Sequence, residues 1–187
     1  MEHALRRHLE ELISLSNTEF ELIASCFTSR RIKKKEFLFR QGDRVSEMYF
    51  IVSGLLKLIY TDESGKERIL SFAMEDWWES DYEAFERGGP AKMSLQSLEN
   101  CQILILSKEN FTKLCNEIPK MAQFFLHKAI AGHIAAQQRV LSLMNDSASD
   151  RFDQLIQRQP SLIHRISKST LASYLGVSRE TLSRLSR

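Results

Sequence analysis

The 187-residue chain lacks most of the features that would tie it to secreted, membrane or metal-bearing classes. Its three cysteines, Cys26, Cys101 and Cys115, are odd in number and far apart, with no Cys-x-x-Cys pair. Neither a disulfide framework nor a zinc ribbon is indicated, and a reducing compartment fits best. No apolar run approaches the roughly 18 residues of a membrane span. Met1 is followed by His3, Arg6 and Arg7 rather than by an apolar leader, so the chain reads as soluble and cytoplasmic, without membrane contact. Gly-x-Ser-x-Gly, phosphate-loop and dinucleotide fingerprints are missing too. The absences point away from an enzyme, a resident cofactor or a metal.

What is present is an apolar fraction of 43%, enough for real cores, and an uneven charge. The net charge is +2, yet Ser147 to Arg187 holds seven Lys/Arg against three Asp/Glu, while the rest holds 19 against 21. A basic end on a slightly acidic body suggests an anionic partner for that end.

The texture changes three times. Leu5, Leu9, Leu12 and Ile13 recur at helical spacing within Glu2 to Ser14, and Asn17 can cap a second short helix reaching Cys26. Short strand-like runs follow: Arg31 to Phe39, Met48 to Val52, Leu55 to Tyr60, Arg68 to Phe72, Met93 to Leu98 and Cys101 to Ile105. Gly42, Gly54 and Asp62 to Gly65 punctuate them, which argues for an all-β barrel or sandwich. The basic run Arg30, Arg31, Lys33, Lys34 and Lys35 on its first strand reads as a solvated edge. A catalytic cupin is the enzyme alternative for such a barrel, but its metal ligands are absent: His3, His8, His127, His133 and His164 all lie outside residues 29–107.

Ser107 to Glu117 predicts a short helix, and Pro119 opens a long one reaching about Asn145. The long helix carries two apolar stripes. Ala122, Leu126, Ala129, Ala136, Val140 and Leu143 form one; Ile130, Ile134, Leu141 and Met144 form the other. Two faces call for two partners, the barrel and the same helix of a second copy, with Leu126, Ile130, Ile134 and Leu141 as interface residues and Gly132 permitting close approach. A helix packed wholly into one large core is the alternative. Asp146 to Ser149 reads as a hinge, Asp150 to Gln159 as a helix, and Pro160 as its breaker.

The last 21 residues read as two short helices around a glycine turn. Ser167 caps the first, whose inner face is Leu171, Ala172 and Leu175; Gly176 turns; Ser178 caps the second, with Leu182 and Leu185 inward. Arg179, Glu180, Ser183, Arg184 and Arg187 occupy its outer face, several near the N-terminus from which such helices reach base edges. Arginine can donate twice to guanine, and a glutamate can accept from cytosine.

Val177 to Arg184 closely resembles the recognition helix of the Crp/Fnr family of transcription regulators, whose Ser-Arg-Glu-Thr-x-x-Arg signature it reproduces. Gly42-Asp43 and Ile51 to Lys57 are similar to that family's Gly-Asp turn and Ile-x-x-Gly-x-x-Lys strand pair. The resemblance implies an α+β chain: a cyclic-nucleotide-binding-like β-roll with flanking helices over 1–118, a dimerisation helix over 119–145 and a helix-turn-helix over 146–187. It implies base contacts from Arg179, Glu180 and Arg184, and phosphate or supporting roles for Ser169, Ser178, Thr181 and Arg187. The implied partners are double-stranded DNA, a second copy of the chain and RNA polymerase. Two recognition helices roughly 34 Å apart imply a pseudo-palindromic operator.

Two departures qualify that picture. The family's cyclic AMP cassette needs Gly-Glu and a later arginine; here Trp77 to Glu83 and Ala91-Lys92-Met93 stand there, with an acidic cluster and only Lys92 to oppose it. Cyclic AMP dependence is therefore not expected. Trp77, Trp78, Tyr82 and Lys92 line a pocket for an unknown effector or, with Phe85, the aromatics plug the barrel. The chain also ends at Arg187, before the β-hairpin wing usual in the family. A wingless form that senses or binds protein without autonomous DNA binding is the alternative function.

Overall fold

A computed structural model describes residues 1–185. Helices α1 (Glu2–Glu10) and α2 (Asn17–Ser25) lead into strands β1 (Phe27–Ile32), β2 (Phe37–Phe39), β3 (Glu47–Ser53), β4 (Leu56–Thr61), β5 (Glu67–Ala73) and β6 (Trp78–Glu79). Helix α3 (Tyr82–Arg87), β7 (Ser94–Ser97), β8 (Cys101–Ser107) and α4 (Lys108–Glu117) follow, then α5 (Pro119–Asn145). The chain continues through α6 (Ala148–Arg158), α7 (Pro160–Arg165), α8 (Lys168–Leu175) and α9 (Arg179–Leu185).

The strands form two four-stranded antiparallel sheets, ordered β1-β8-β3-β6 and β2-β7-β4-β5, which make the roll. Because side chains alternate along a strand, one strand feeds two cores. Phe50, Leu104 and Leu106 face a cluster with Leu5, Leu9, Ile23, Leu114, Met121 and Phe124 from the flanking helices. Tyr49, Ile51 and Ile103 face the other way, meeting Leu56, Leu58 and Leu95 between the sheets. His8 of α1 sits in the first cluster and accepts a hydrogen bond at Nε2 from Trp78 Nε1, at 3.2 Å. Gly54 turns β3 into β4 at φ +107°, against β8; a Cβ there would lie 2.8 Å from Cys101 Cβ, so glycine is required twice over.

Several expectations are corrected. The cap of α2 is Ser16, not Asn17: its hydroxyl accepts the Glu19 N–H while the Glu19 carboxylate accepts the Ser16 N–H. Lys120 joins that carboxylate, and together these hold the Glu19 pKa at about 2. The predicted first strand, Arg31 to Phe39, is two strands in different sheets, broken where Lys35 adopts φ +71°. Only Arg30 and Arg31 of the basic run lie on β1, an edge strand; the three lysines lie in the turn after it. Neither β6 nor α3 was anticipated. Pro160 does not merely break α6 but begins α7, where its missing N–H costs nothing.

The long helix is correctly bounded, but its facing is not as expected. Its contact with the roll is confined to its start, through Met121, Phe124 and the half-buried Phe125. From Leu126 to Asn145 only Lys128, Arg139 and Ser142 are even half-buried, so both apolar stripes lie open rather than one facing the roll.

Candidate functional site

The C-terminal helices are built from local signals. Ser167 Oγ accepts the Thr170 N–H at 3.1 Å to start α8. Gly176, at φ +72° and ψ 29°, ends it: Val177 N–H bonds to Ala172 O at 3.0 Å and Gly176 N–H to Ser173 O at 3.3 Å, the paired bonds of a Schellman turn. Ser178 Oγ then accepts the Thr181 N–H at 3.1 Å, starting α9 only three residues after α8 ends. Leu171, Ala172, Leu175 and Leu182 are buried, while Arg179, Glu180 and Arg184 are exposed.

The three expected base-contacting residues therefore share an open surface on α9. Glu180 is kept ionised by its own N–H first, then by the Ser178 hydroxyl, Arg179 and Arg184. Ser169 hydrogen-bonds to Ser167 at 2.8 Å and stays exposed; Ser178 and Thr181 are engaged in the cap. Arg187 and the side chain of Leu185 lie outside the described residues. On α5, Leu126 is 61% exposed, Ile130 52%, Ile134 48% and Leu141 58%, an apolar ribbon that the described residues leave uncovered.

The residues expected around an effector are not gathered on one cavity. Trp78 and Phe85 are buried in the first cluster, whereas Trp77 is exposed. Tyr82 shows its ring to solvent and turns its hydroxyl inward, donating to Trp78 O at 3.2 Å. Lys92 is exposed and paired with Glu83 at 2.9 Å. Two surface hollows of about 340 and 250 Å³ touch none of these four residues.

The acidic cluster is more ordered than composition alone indicates. Asp81, fully buried, caps α3 by accepting the Ala84 N–H at 3.0 Å, and its second oxygen accepts the N–H groups of Lys92 and Met93 at 2.8 and 3.1 Å. Glu79 is also buried and accepts from the Ser71 hydroxyl and the Ser80 N–H, at 2.9 and 3.1 Å. Burial outweighs those bonds and raises its pKa to about 7. Among the described residues no cluster of His, Cys, Asp and Glu is arranged to hold a metal ion, and no helix is long and apolar enough to cross a membrane.

Comparison with known proteins extends across both the roll and the C-terminal helices. Residues 29–118 match the cyclic nucleotide-binding domain family. The transcriptional activator protein Anr of Pseudomonas protegens is 26% identical over 167 residues, covering 83% of this chain and 68% of Anr. The cAMP-activated global transcriptional regulator CRP of Salmonella typhimurium is 24% identical over 161 residues, covering 81% and 77%. The chain is thus similar to Crp/Fnr-type transcription regulators across both regions. Its fold matches the c-di-GMP responsive global regulator CLP of Xanthomonas campestris at a TM-score of 0.73 and 17% identity, over 91% of this chain and 89% of that one. These relatives are named as regulators of transcription, not as enzymes.

Three residues of consequence escaped sequence reasoning. Asp81 looked like one more repelling acid. Arg139 lay between the apolar stripes of α5, and Arg165 looked like generic basic charge. Arg139 and Arg165 act through partners 35 and as far as 90 residues away, which no local pattern marks, and Asp81 was missed because α3, which it caps, was not anticipated.

Proposed function

We propose that the chain is a sequence-specific DNA-binding transcription regulator that acts as a homodimer on a pseudo-palindromic operator, without cyclic AMP. The observation that carries this reading is the outer face of α9. Arg179, Glu180 and Arg184 stand exposed on a helix whose opposite face is anchored by Leu182 and whose start is set by the Gly176 turn. On that reading residues 1–118 form the sensor-like unit, 119–145 the dimer helix and 146–187 the DNA-binding unit. The ribbon on α5 supports a second copy as partner, because an uncovered apolar face of this length otherwise leaves costly surface in water.

Independence from cyclic AMP is supported by the fit of the cassette. Its backbone N–H groups at Ala84, Lys92 and Met93 already hold the Asp81 carboxylate, and Lys92, the nearby cation, is paired with Glu83. A phosphodiester would have to displace a buried internal anion, and the residues present do not fit it.

Gel-shift titration against DNA selected from random sequence tests the reading. Arg179→Ala and Arg184→Ala should each cost about 1–3 kcal/mol on the selected site and relax base preference at one position per half-site. Undiminished affinity and preference in both variants would remove these arginines from base reading.

A further inference from the structure

Arg165, the last residue of α7, holds two acids of the roll at once. Its Nε and Nη2 donate to the two oxygens of Glu99 at 3.0 and 2.7 Å; Nη1 and Nη2 donate to the two oxygens of Glu75 at 2.8 and 3.0 Å. The arginine side chain is only 22% exposed, and the two carboxylates raise its pKa further above the ordinary value. Glu75 also accepts the Gly54 N–H at 2.8 Å, which ties the clamp to the β3–β4 turn. It begins the same short segment that carries Trp78 and Glu79 into the roll. Separately, Arg139 of α5 lies 3.9 Å over the Tyr174 ring and donates to the Tyr174 carbonyl, while that ring rests 4.9 Å from Phe72 of β5.

Apart from one long hydrogen bond, from the Ser173 hydroxyl to Glu67 O at 3.4 Å, the remaining attachment is apolar: Leu55, Ile69 and Phe72 of the roll close the cluster around Leu171, Leu175 and Leu182. Such contact holds the C-terminal unit on the roll but is non-directional and tolerates sliding and rotation. Two-pronged guanidinium–carboxylate pairs do not, because their planar geometry fixes both distance and direction.

We infer that Arg165 is a positioning residue that sets the orientation of the helix-turn-helix on the roll, and so the separation of the two recognition helices in the dimer. The inference rests on the operator reading above. It assigns to Glu75 and Glu99 the receiving half of the clamp, and it makes the Glu75 to Glu79 segment the route by which a rearrangement inside the roll reaches the DNA-binding unit.

The test uses full-length protein and an operator selected by the wild type, with its half-sites then moved apart by one and two base pairs. Wild type should lose about tenfold or more in affinity on the two-base-pair insertion, since both recognition helices must stay in register. Arg165→Ala should bind the parent operator roughly tenfold more weakly yet lose less than about threefold on insertion, because a loosened unit can follow the half-site. Arg165→Lys, which keeps the charge without the fork, should resemble Ala, and Glu99→Gln should shift in the same direction by less. A spacing penalty equal to wild type in Arg165→Ala overturns the inference, whatever happens to thermal stability, and wild-type discrimination in Arg165→Lys overturns the role of the fork. Hydrogen exchange on the free protein reads the clamp without DNA: amides of residues 160–182 should exchange faster in Arg165→Ala while β3 and β8 keep their protection, and unchanged exchange throughout also overturns it. If wild type binds no DNA at any salt, the operator reading fails while the exchange comparison still decides whether Arg165 holds the unit.

Discussion

The roll and the C-terminal unit meet the same demands by opposite means. In the roll, buried polar groups find partners within the roll: Asp81 collects three backbone N–H groups, Ser80 donates to Glu47 O at 2.8 Å and Ser97 to Lys33 O at 2.6 Å. Its inter-sheet core is closed by its own strands and α3. The C-terminal unit borrows. Three of its core neighbours, Leu55, Ile69 and Phe72, and both acceptors of Arg165 belong to the roll. Four short helices of 6 to 11 residues offer too little inward surface to close a core alone, so α9 is held in place by a sheet far away in sequence.

The difference can be broken most forcefully at Leu175, fully buried beneath α8. Leu175→Ala should cost about 2–5 kcal/mol, with hydrogen exchange rising through α6 to α9 while β3 and β8 keep their protection. Uniform loss across the roll strands would show one cooperative unit instead.

A second test lies inside the roll and depends on pH. The Glu79 pKa of about 7 stands above its ordinary 4.5, so the folded chain holds this proton where the unfolded chain has released it. The contribution is therefore fully present below about pH 4.5 and is lost as pH rises to about 7, by at most roughly 3 kcal/mol. Glu79→Gln should remove that slope from denaturant midpoints measured between pH 5 and 8. Equal slopes in the two proteins would exclude Glu79 as its source.

The smallest effect on the folded chain should come from the ribbon of α5. Ile130→Glu and Ile134→Glu touch neither the roll nor α8, so the monomer should melt unchanged, while dimer dissociation measured by sedimentation should rise about tenfold or more for each. A variant that stays dimeric at the same concentration would place the interface elsewhere.

Elements with strong local punctuation were legible in the sequence. Pro119 marked the start of α5, and Ser167, Gly176 and Ser178 marked α8 and α9, because caps and left-handed glycines act within a turn of where they stand. The roll's short strands were legible as a group but not in their breaks: Lys33 to Lys35 continue a polar run, and only the switch of β1 and β2 into different sheets shows why the chain must turn there. Helix α3 was hidden by the aromatic residues before it. The facing of α5 was misjudged because periodicity tells which residues share a stripe, not which stripe finds a neighbour. The polar face of α9 could be read from its spacing, whereas the clamp of Arg165 could not, since its acceptors lie 66 and 90 residues away.

The bond from Trp78 to His8 has a further consequence, for where a proton sits. Nε2 accepts from the indole, so in the neutral ring the imidazole proton belongs on Nδ1, which is buried without a hydrogen-bond partner among the described residues; Glu11 lies 3.6 Å away. A second proton could enter only at Nε2, where it would face the indole N–H head-on. Burial, chiefly, and then Lys128 lower the His8 pKa, against smaller opposing pulls from Glu11 and Asp76. Helix α1 is thus seated on the roll by an imidazole whose neutral form is favoured, the ring nitrogen that would take a second proton being already engaged by the indole.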